Sequence, residues 1–168
     1  MSINETLNMH GITSIWHFTD KSNLKSIEEY GIQSLYNIIK NNIEVSSFGA
    51  DELSHDLDKK TGLDKYVHLS FVKDHPMYHV AKRRGSIITP VWIELDLSIL
   101  FNLDTRFSDQ VANSNGARIF SKKDILKYID IPNLFNYNDF WSGVESRKAE
   151  IMACNSINNN KIKGITYG

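Results

Sequence analysis

The stretch SRKAEIMAC (146–154) holds one carboxylate, Glu150, between two cations and a short apolar run. The run that follows Glu150 is apolar throughout and predicts a buried strand. A carboxylate that begins such a strand is either a solvated residue at the strand edge or a group held in a cleft to act on a substrate. The two preceding cations, Arg147 and Lys148, favour an ionised carboxylate at this position.

A second group of candidate residues lies nearer the N-terminus. His17 comes at the end of a predicted strand, 12–18, and beside a predicted helix start. A histidine there either hydrogen-bonds a ligand or is a core residue bonded to the backbone. Thr19 and Asn23 follow, and their hydroxyl and amide groups either bind a ligand or cap and orient the helix.

Aromatic and further histidine side chains lie in the middle of the chain. Tyr66 and Phe71 bound a predicted strand, where an aromatic ring is either a stacking surface for a ligand or part of the core. His75 and His79 are four residues apart on a predicted helix and can share one face. The sequence has no third ligand at zinc spacing, no P-loop and no Rossmann fingerprint, so it predicts no metal site.

The elements that must position these residues are strands and helices in irregular order. The patterns predict strands at 12–18, 66–71, 87–97, 149–154 and 161–167, and helices at 21–30, 34–42, 76–84 and 121–129. Because the strands and helices do not alternate as βαβ units, we expect an α+β fold. The length of 168 residues suits a single domain, residues 1–168.

Local signals mark the ends of several elements. Asp20 and Ser121 are expected to be helix N-caps, and Gly31 is expected to end the first of these helices. Pro90 indicates an edge position or a bulge in its strand. Residues 43–65 are polar with little periodic signal, which predicts a long loop of the kind that often binds ligands.

The composition indicates an ordinary globular protein, with 41% hydrophobic and 23% charged residues. No apolar run is long enough to span a membrane, and the N-terminus lacks the pattern of a signal peptide. Cys154 is the single cysteine and has no internal disulfide partner. Together these features lead us to expect a protein of the reducing cytoplasm.

The net charge of −1 differs from the basic balance common in nucleic-acid-binding proteins. The cations are instead grouped locally, at 82–84, at 118–123 and at 147–148. Such groups either make a limited number of phosphate contacts or belong to solvated faces.

The order of several motifs resembles the DarT-type ADP-ribosyltransferases. WHFTDKSNLKSIEEYGI (16–32) is similar to the opening of that family, in which a His-x-Thr strand end leads into an Asn-Leu helix. The matching residues are His17, Thr19, Asn23, Leu24, Gly31 and Ile32. Here Asp20 replaces a histidine that is frequent in the family.

Three further blocks follow in the family's order and extend the resemblance over nearly the whole chain. YVHLSFVKDHPMYHV (66–80) resembles a Tyr-Val-Pro-Phe-Tyr-Phe strand, with His68 in place of the proline. RFSDQVA (106–112) resembles a Phe-Thr-Asp-Gly-Asn-Ala stretch. RKAEIMA matches the strand that holds the family's catalytic glutamate, which corresponds to Glu150.

The resemblance implies a fold and an activity. The fold would be an ADP-ribosyltransferase-like split, mixed or antiparallel sheet with flanking helices. The activity would be transfer of ADP-ribose from NAD+, consumed as a substrate without a metal, to a base of single-stranded DNA. RNA stays open as the target, as does the identity of the base. Such enzymes act as toxins or in phage defence, and commonly have a macrodomain antitoxin as partner.

The resemblance also assigns roles to individual residues. Glu150 would be catalytic, because a carboxylate beside the reacting ribose can stabilise positive charge and accept a proton from the base. The residues implied for NAD+ binding are His17, Thr19, Asn23, Tyr66 and Phe71. The cations implied for substrate binding are Arg83, Arg84, Arg118, Arg147 and Lys148.

One departure concerns a cation that the family often carries in the loop before the Tyr-Val strand. DarT-type enzymes often have an arginine there, whereas this chain reads DELSHDLDKKTGLDK (51–65). His55 and Lys59 are the catalytic candidates in its place, unless Arg83 or Arg84 reaches the site. Two other functions stay open: the same chemistry on protein or a small molecule, and a binding module without catalysis.

Overall fold

The computed structural model of the chain describes residues 1–45 and 52–168. Within these ranges the strands are β1 (Ser14–Asp20), β2 (Ile32–Gln33), β3 (Tyr66–Ser70), β4 (Pro90–Asp96), β5 (Arg106–Ser108), β6 (Ile119–Phe120), β7 (Glu150–Cys154), β8 (Ser156–Ile157) and β9 (Ile162–Tyr167). The helices are α1 (Ile3–Met9), α2 (Leu24–Tyr30), α3 (Leu35–Lys40), α4 (Glu52–Thr61), α5 (Pro76–Arg84), α6 (Ile125–Tyr128) and α7 (Phe140–Arg147). The predicted α+β class is confirmed.

A seven-stranded sheet of order β6-β5-β7-β3-β1-β4-β9 organises the described part of the chain, and β2 pairs with β8 beside it. The recorded strand pairings are antiparallel. The central strands are largely buried, and Ile15, Ile93, Leu95 and Ile151 have no exposed surface. Burial on this scale makes the sheet a rigid support for side chains at its strand ends.

The sheet opens between β1 and β3. Strand β1 pairs with β4 along its whole length, from Ser14 opposite Asp96 to Asp20 opposite Pro90. In contrast, the recorded register between β1 and β3 consists of Trp16 opposite Ser70. The two strands therefore diverge, and their side chains line a cleft that α2 and α3 cover on one side.

Three local predictions differ from the structure. Residues 46–51 of the predicted loop 43–65 lie outside the described residues. Much of the remainder forms α4, whose polar sequence hides its helical period and which ends before Gly62, a residue in the left-handed conformation. Pro90 is not on an edge strand: it is the first residue of the interior strand β4, where its missing N–H is tolerated. The irregularity of β4 lies farther along, at Glu94/Leu95. Ser121 makes no side-chain cap, and the helix after it starts with a 3-10 turn.

Asp20 caps the first turn after β1, as the sequence predicts, and also holds a second segment. Its carboxylate accepts hydrogen bonds from the backbone N–H of Ser22 at 2.9 Å. It also accepts from the N–H groups of Ile88, at 2.7 Å, and Thr89, at 2.9 Å. Burial raises the pKa of Asp20, but these backbone donors outweigh burial and lower the pKa to about 2. The carboxylate thus joins the end of β1 to the start of β4.

Replacing Asp20 with alanine should lower the free energy of unfolding at neutral pH by about 2–3 kcal/mol, because three backbone N–H groups lose their acceptor. The folded-state pKa lies below the unfolded value of 3.8, so the ionised carboxylate stabilises the fold above pH ~4. That stabilisation is lost as the pH falls towards 2. Urea denaturation of both proteins between pH 2 and 7 should show the difference shrinking at acid pH, and a constant difference would contradict this account.

Candidate active site

Glu150 lies at the edge of the cleft, where three strands meet. It is the first residue of β7 and is paired with Ser70 of β3 and Ser108 of β5. Only 7% of the residue is exposed, and one carboxylate oxygen, Oε2, accepts a hydrogen bond of 2.8 Å from the backbone N–H of Ala112. Of the two alternatives drawn from the sequence, the structure therefore supports a carboxylate held in a cleft.

Two histidines flank this carboxylate. The Nδ1 atom of His68 lies 3.5 Å from Glu150 Oε2, and the Nε2 atom of His75 lies 3.8 Å from Oε1. Burial alone raises the pKa of Glu150, but hydrogen bonding and charge from His68, followed by His75 and the Ala112 N–H, lower it below its usual value. The carboxylate is therefore ionised at neutral pH despite its burial.

His75 is fixed as a neutral side chain. Its Nδ1 atom accepts a hydrogen bond from the N–H of Met77 and so caps the N-terminus of α5. Its Nε2 atom lies 3.3 Å from the carbonyl oxygen of Lys148, to which it donates. Burial lowers the pKa of His75, because this wall of the cleft excludes water from the ring. The histidine thereby ties the start of α5 to the residues just before Glu150.

His17 spans the opening of the sheet. Its Nδ1 atom lies 3.1 Å from the carbonyl oxygen of His68, so Nδ1 carries the proton and Nε2 keeps a lone pair. Burial lowers the pKa of His17 to about 4, which keeps the ring neutral. The backbone bond matches one alternative drawn from the sequence, while the position of His17 in the cleft wall leaves its other edge available to a ligand.

Thr19 and Asn23 form a polar pair farther along the same wall. Both are buried, and the Asn23 amide donates a hydrogen bond of 3.0 Å to the Thr19 hydroxyl. They line the cleft together with apolar side chains from α2 and α3. The cleft has a volume of about 240 Å³, and its walls combine aliphatic and aromatic surface with these hydroxyl, amide and imidazole groups.

A comparison with protein-family profiles identifies one family for this chain. The sequence profile of DarT, the ssDNA thymidine ADP-ribosyltransferase, matches residues 16–167. The chain belongs to the DarT family. This membership confirms the resemblance predicted from the sequence, and the matched region includes both the cleft and Glu150. A comparison with curated protein sequences found no match.

Solved structures of DarT proteins have the same fold. Thermus sp. 2.9 DarT in complex with ADP-ribosylated ssDNA superimposes with a TM-score of 0.72 at 18% identity, covering 92% of this chain and 81% of that one. The same protein in complex with NAD+ gives a TM-score of 0.68 at 18% identity, with the same coverage. Thermosipho africanus DarTG in complex with ADP-ribose gives 0.74 at 20% identity, over 91% of this chain and 43% of that chain.

The aromatic candidates of this DarT-family chain separate in the structure. Tyr66 lines the cleft at the start of β3. Phe71 is 2% exposed and packs in the main core. Phe71 therefore matches the second alternative drawn from the sequence, an aromatic residue that is part of the core.

The predicted cations have other neighbours. Arg147 is buried, donates to the backbone carbonyls of Leu134, at 3.2 Å, and Asn136, at 3.4 Å, and lies over the ring of Tyr137. Through these contacts Arg147, the last residue of α7, holds the segment before α7 against the C-terminal end of that helix. Lys148, the next residue, pairs with an exposed glutamate of α7 at 2.8 Å.

The remaining predicted cations lie on the surface. Arg83 and Arg84 are exposed in the last turn of α5, and Arg118 pairs with Asp109 at 3.0 Å. Lys59 is exposed near the end of α4. The side chain of His55 lies outside the described residues. Among the described residues that line the cleft there is neither lysine nor arginine.

Two neighbours of Glu150 are absent from the residues proposed from sequence. The sequence marks His68 only as a departure from the family's proline, and treats His75 as equivalent to His79. In the structure His75 is 2% exposed at the carboxylate, whereas the half-exposed His79 pairs with Asp74 outside the cleft. The proline that follows His75 is the one local signal for its role, since it indicates a helix start that a histidine can cap.

Two further observations concern metals and membranes. Within residues 1–45 and 52–168, no group of three or more histidine, cysteine or acidic side chains is arranged to hold a metal ion. In the same part of the chain, no helix combines the length and the apolar character needed to cross a bilayer.

Proposed function

We propose that this chain transfers ADP-ribose from NAD+ to a thymine base of single-stranded DNA. The observation that carries the proposal is the ionised, buried carboxylate of Glu150 in the cleft between β1 and β3, within the region matched by the DarT profile. Support for the substrates comes from Thermus sp. 2.9 DarT, whose solved complexes contain NAD+ and ADP-ribosylated ssDNA.

The cleft walls suit a ligand that carries both rings and sugar hydroxyls. His17, Thr19 and Asn23 would hold NAD+, because their lone pair, hydroxyl and amide groups match ribose hydroxyls and a carboxamide. Tyr66 and the aliphatic side chains around it offer apolar contact area to a ring. NAD+ supplies the ADP-ribosyl group and releases nicotinamide.

Glu150 would act at the reacting ribose in two ways. Its negative charge would stabilise the positive charge that develops at the ribose as the bond to nicotinamide breaks. One of its oxygens would accept the proton that a ring nitrogen of the base loses as it bonds to the ribose carbon. The Ala112 N–H holds Oε2 in place, so the carboxylate is oriented before substrate binds.

The experiment incubates the protein with labelled NAD+ and, in parallel, with mixed-sequence single-stranded DNA, duplex DNA, RNA and cell protein. We expect label on single-stranded DNA with wild-type protein and none with Glu150→Ala. Replacing every thymine in the oligonucleotide with uracil, and then with cytosine, tests the base. Label on RNA or protein instead of DNA would overturn the proposed target, and label on no target would overturn the proposed activity.

The proposal extends to the biological setting. Base modification of single-stranded DNA blocks replication, so the chain would act as a toxin, in phage defence or beside a macrodomain antitoxin. NAD+ and DNA as substrates, together with the free thiol of Cys154, favour a location in the cytoplasm. The strands lie between residues 14 and 167, which favours a single domain over residues 1–168.

Expression in a bacterial host should arrest growth with the wild-type chain and not with Glu150→Ala at equal protein level. The reason is that only the wild-type chain would place a bulky, charged adduct on template bases. Colony counts after induction, with immunoblotting to match the protein levels, provide the measurement. Equal growth arrest by both proteins would show that the toxicity is unrelated to transfer.

A further inference from the structure

His68 differs from the other histidines of the cleft because both of its ring nitrogens face oxygen atoms. Its Nδ1 atom lies 3.5 Å from Glu150 Oε2. Its Nε2 atom lies 3.2 Å from the carbonyl oxygen of Leu63 and 3.9 Å from the carboxylate of Asp58. A neutral imidazole carries one N–H and would direct a lone pair at one of these acceptors, whereas the imidazolium donates from both nitrogens.

Among the described residues, the cleft wall around His68 is acidic. The cleft wall carries the carboxylates of Asp58, Asp64 and Glu150, and among its described residues no lysine or arginine. His17 and His75 also face this region, and burial lowers the pKa of both. Three carboxylates beside two neutral histidines would leave the cleft strongly negative, which disfavours an ionised Glu150.

We propose that His68, in its doubly protonated form, is the positioning residue that keeps Glu150 ionised and directs its carboxylate for ADP-ribosyl transfer. This inference rests on the proposed function, because it names the cation that supports the catalytic carboxylate. The positive charge of the site would then come from His68 of β3, and not from Lys59, Arg83 or Arg84, the candidates drawn from the sequence.

The electrostatics of the pair agree with this geometry. Burial opposes a charge on His68, but the hydrogen bond and charge of Glu150, followed by the charge of Asp58, raise the pKa of His68 to about 9. His68 is in turn the largest influence that lowers the pKa of Glu150 against its burial. Each charge therefore stabilises the other, and removing the cation leaves a buried carboxylate without its partner.

The experiment compares kcat/KM for transfer, as a function of pH, in wild-type protein, His68→Asn and His68→Phe. The amide of asparagine can replace the Nδ1–H donor without a charge, and phenylalanine keeps the ring without charge or donor. In both variants we expect the acidic limb of the profile, where Glu150 becomes protonated, to move up by about one pH unit or more. At high pH we expect His68→Asn to recover more of the wild-type rate than His68→Phe, since it still orients the carboxylate.

His79→Asn is the matched control, because His79 also pairs with a carboxylate but lies outside the cleft. Its acidic limb should coincide with that of the wild type. A role of His68 in packing alone would lower the rate at every pH without moving the limb, and that result in both His68 variants would overturn the inference. Thermal melting confirms that each variant is folded at the pH values used.

A second readout separates this inference from the proposed function. NMR titration of the wild-type histidine side chains, with His68→Asn used for assignment, should show His68 protonated well above pH 7. A titration near pH 6.5 would overturn the inference even if transfer to DNA is observed. If His68 titrates well above pH 7 but the protein modifies no nucleic acid, the proposed function is overturned while the ion pair between His68 and Glu150 is confirmed.

Discussion

Replacing Glu150 with glutamine should reduce kcat/KM for transfer by about 10³-fold or more, while the fold and NAD+ binding are retained. The amide cannot accept the proton of the base, which costs roughly 10²–10⁴-fold, and cannot stabilise positive charge as a carboxylate does. Glutamine keeps the size of the side chain and an oxygen that can accept the Ala112 N–H. Initial rates with labelled NAD+ and an oligonucleotide provide the measurement, and calorimetry gives the dissociation constant for NAD+.

The control for this variant is Glu145→Gln. Glu145 is an exposed carboxylate on α7 that pairs with Lys148, so its loss removes one charge at the surface. Its rate should stay within about twofold of the wild type, because exposed ion pairs contribute little. A Glu150→Gln rate within tenfold of the wild type would remove this residue from the chemistry, whatever its position in the cleft.

Replacing Gly31 with alanine should lower the free energy of unfolding by about 3 kcal/mol or more. Gly31 has φ 74° and ψ −173°, a conformation that residues with a Cβ rarely adopt. An added Cβ would meet the backbone carbonyl oxygen of Ile157, far inside normal contact distance. Ile157 belongs to β8, which pairs with β2 directly after Gly31, so neither side of this contact can move without breaking the two-stranded sheet.

Gly85→Ala is the control for a left-handed glycine without the contact, since Gly85 has φ 74° and ψ 13° and no atom within 4 Å of the added Cβ. This substitution should lower the free energy of unfolding by only about 1 kcal/mol, the cost of a left-handed backbone at a residue with a Cβ. Gly31 also lines the cleft, so its replacement should weaken NAD+ binding in the fraction that stays folded. Urea denaturation of the three proteins measures the difference. Equal losses in both variants would show that both the contact with Ile157 and the backbone strain at residue 31 relax.

Several elements of the fold follow from local sequence. The strands β3, β4 and β7 lie within the predicted segments, because β-branched and aromatic residues favour strands. Strand β1 overlaps its predicted segment, 12–18, but continues to Asp20. Asp20 caps the turn that it was predicted to cap, and Gly31 ends its helix. These features depend on neighbours within four residues, which the sequence displays directly.

Other elements were hidden because their signal is not local. The polar surface of α4 obscures its period, and its end depends on the left-handed conformation of Gly62. Pro90 was expected at an edge or a bulge because a central strand needs its N–H groups, but a position at the start of β4 removes that need. The opening between β1 and β3 is a property of two strands that are far apart in the sequence, Ser14–Asp20 and Tyr66–Ser70, and no local pattern indicates it.

The sequence by itself determined that this chain belongs to the DarT family and that Glu150 is its candidate catalytic carboxylate, since ordered motifs carry that information without coordinates. Only the tertiary structure decided which side chains surround that carboxylate. It buried Arg147 against backbone carbonyls and brought His68 and His75, more than 70 residues earlier in the chain, to the two oxygens of Glu150. The charge and pKa of a buried carboxylate depend on groups within a few ångströms, and strand pairing, not sequence distance, sets which groups those are.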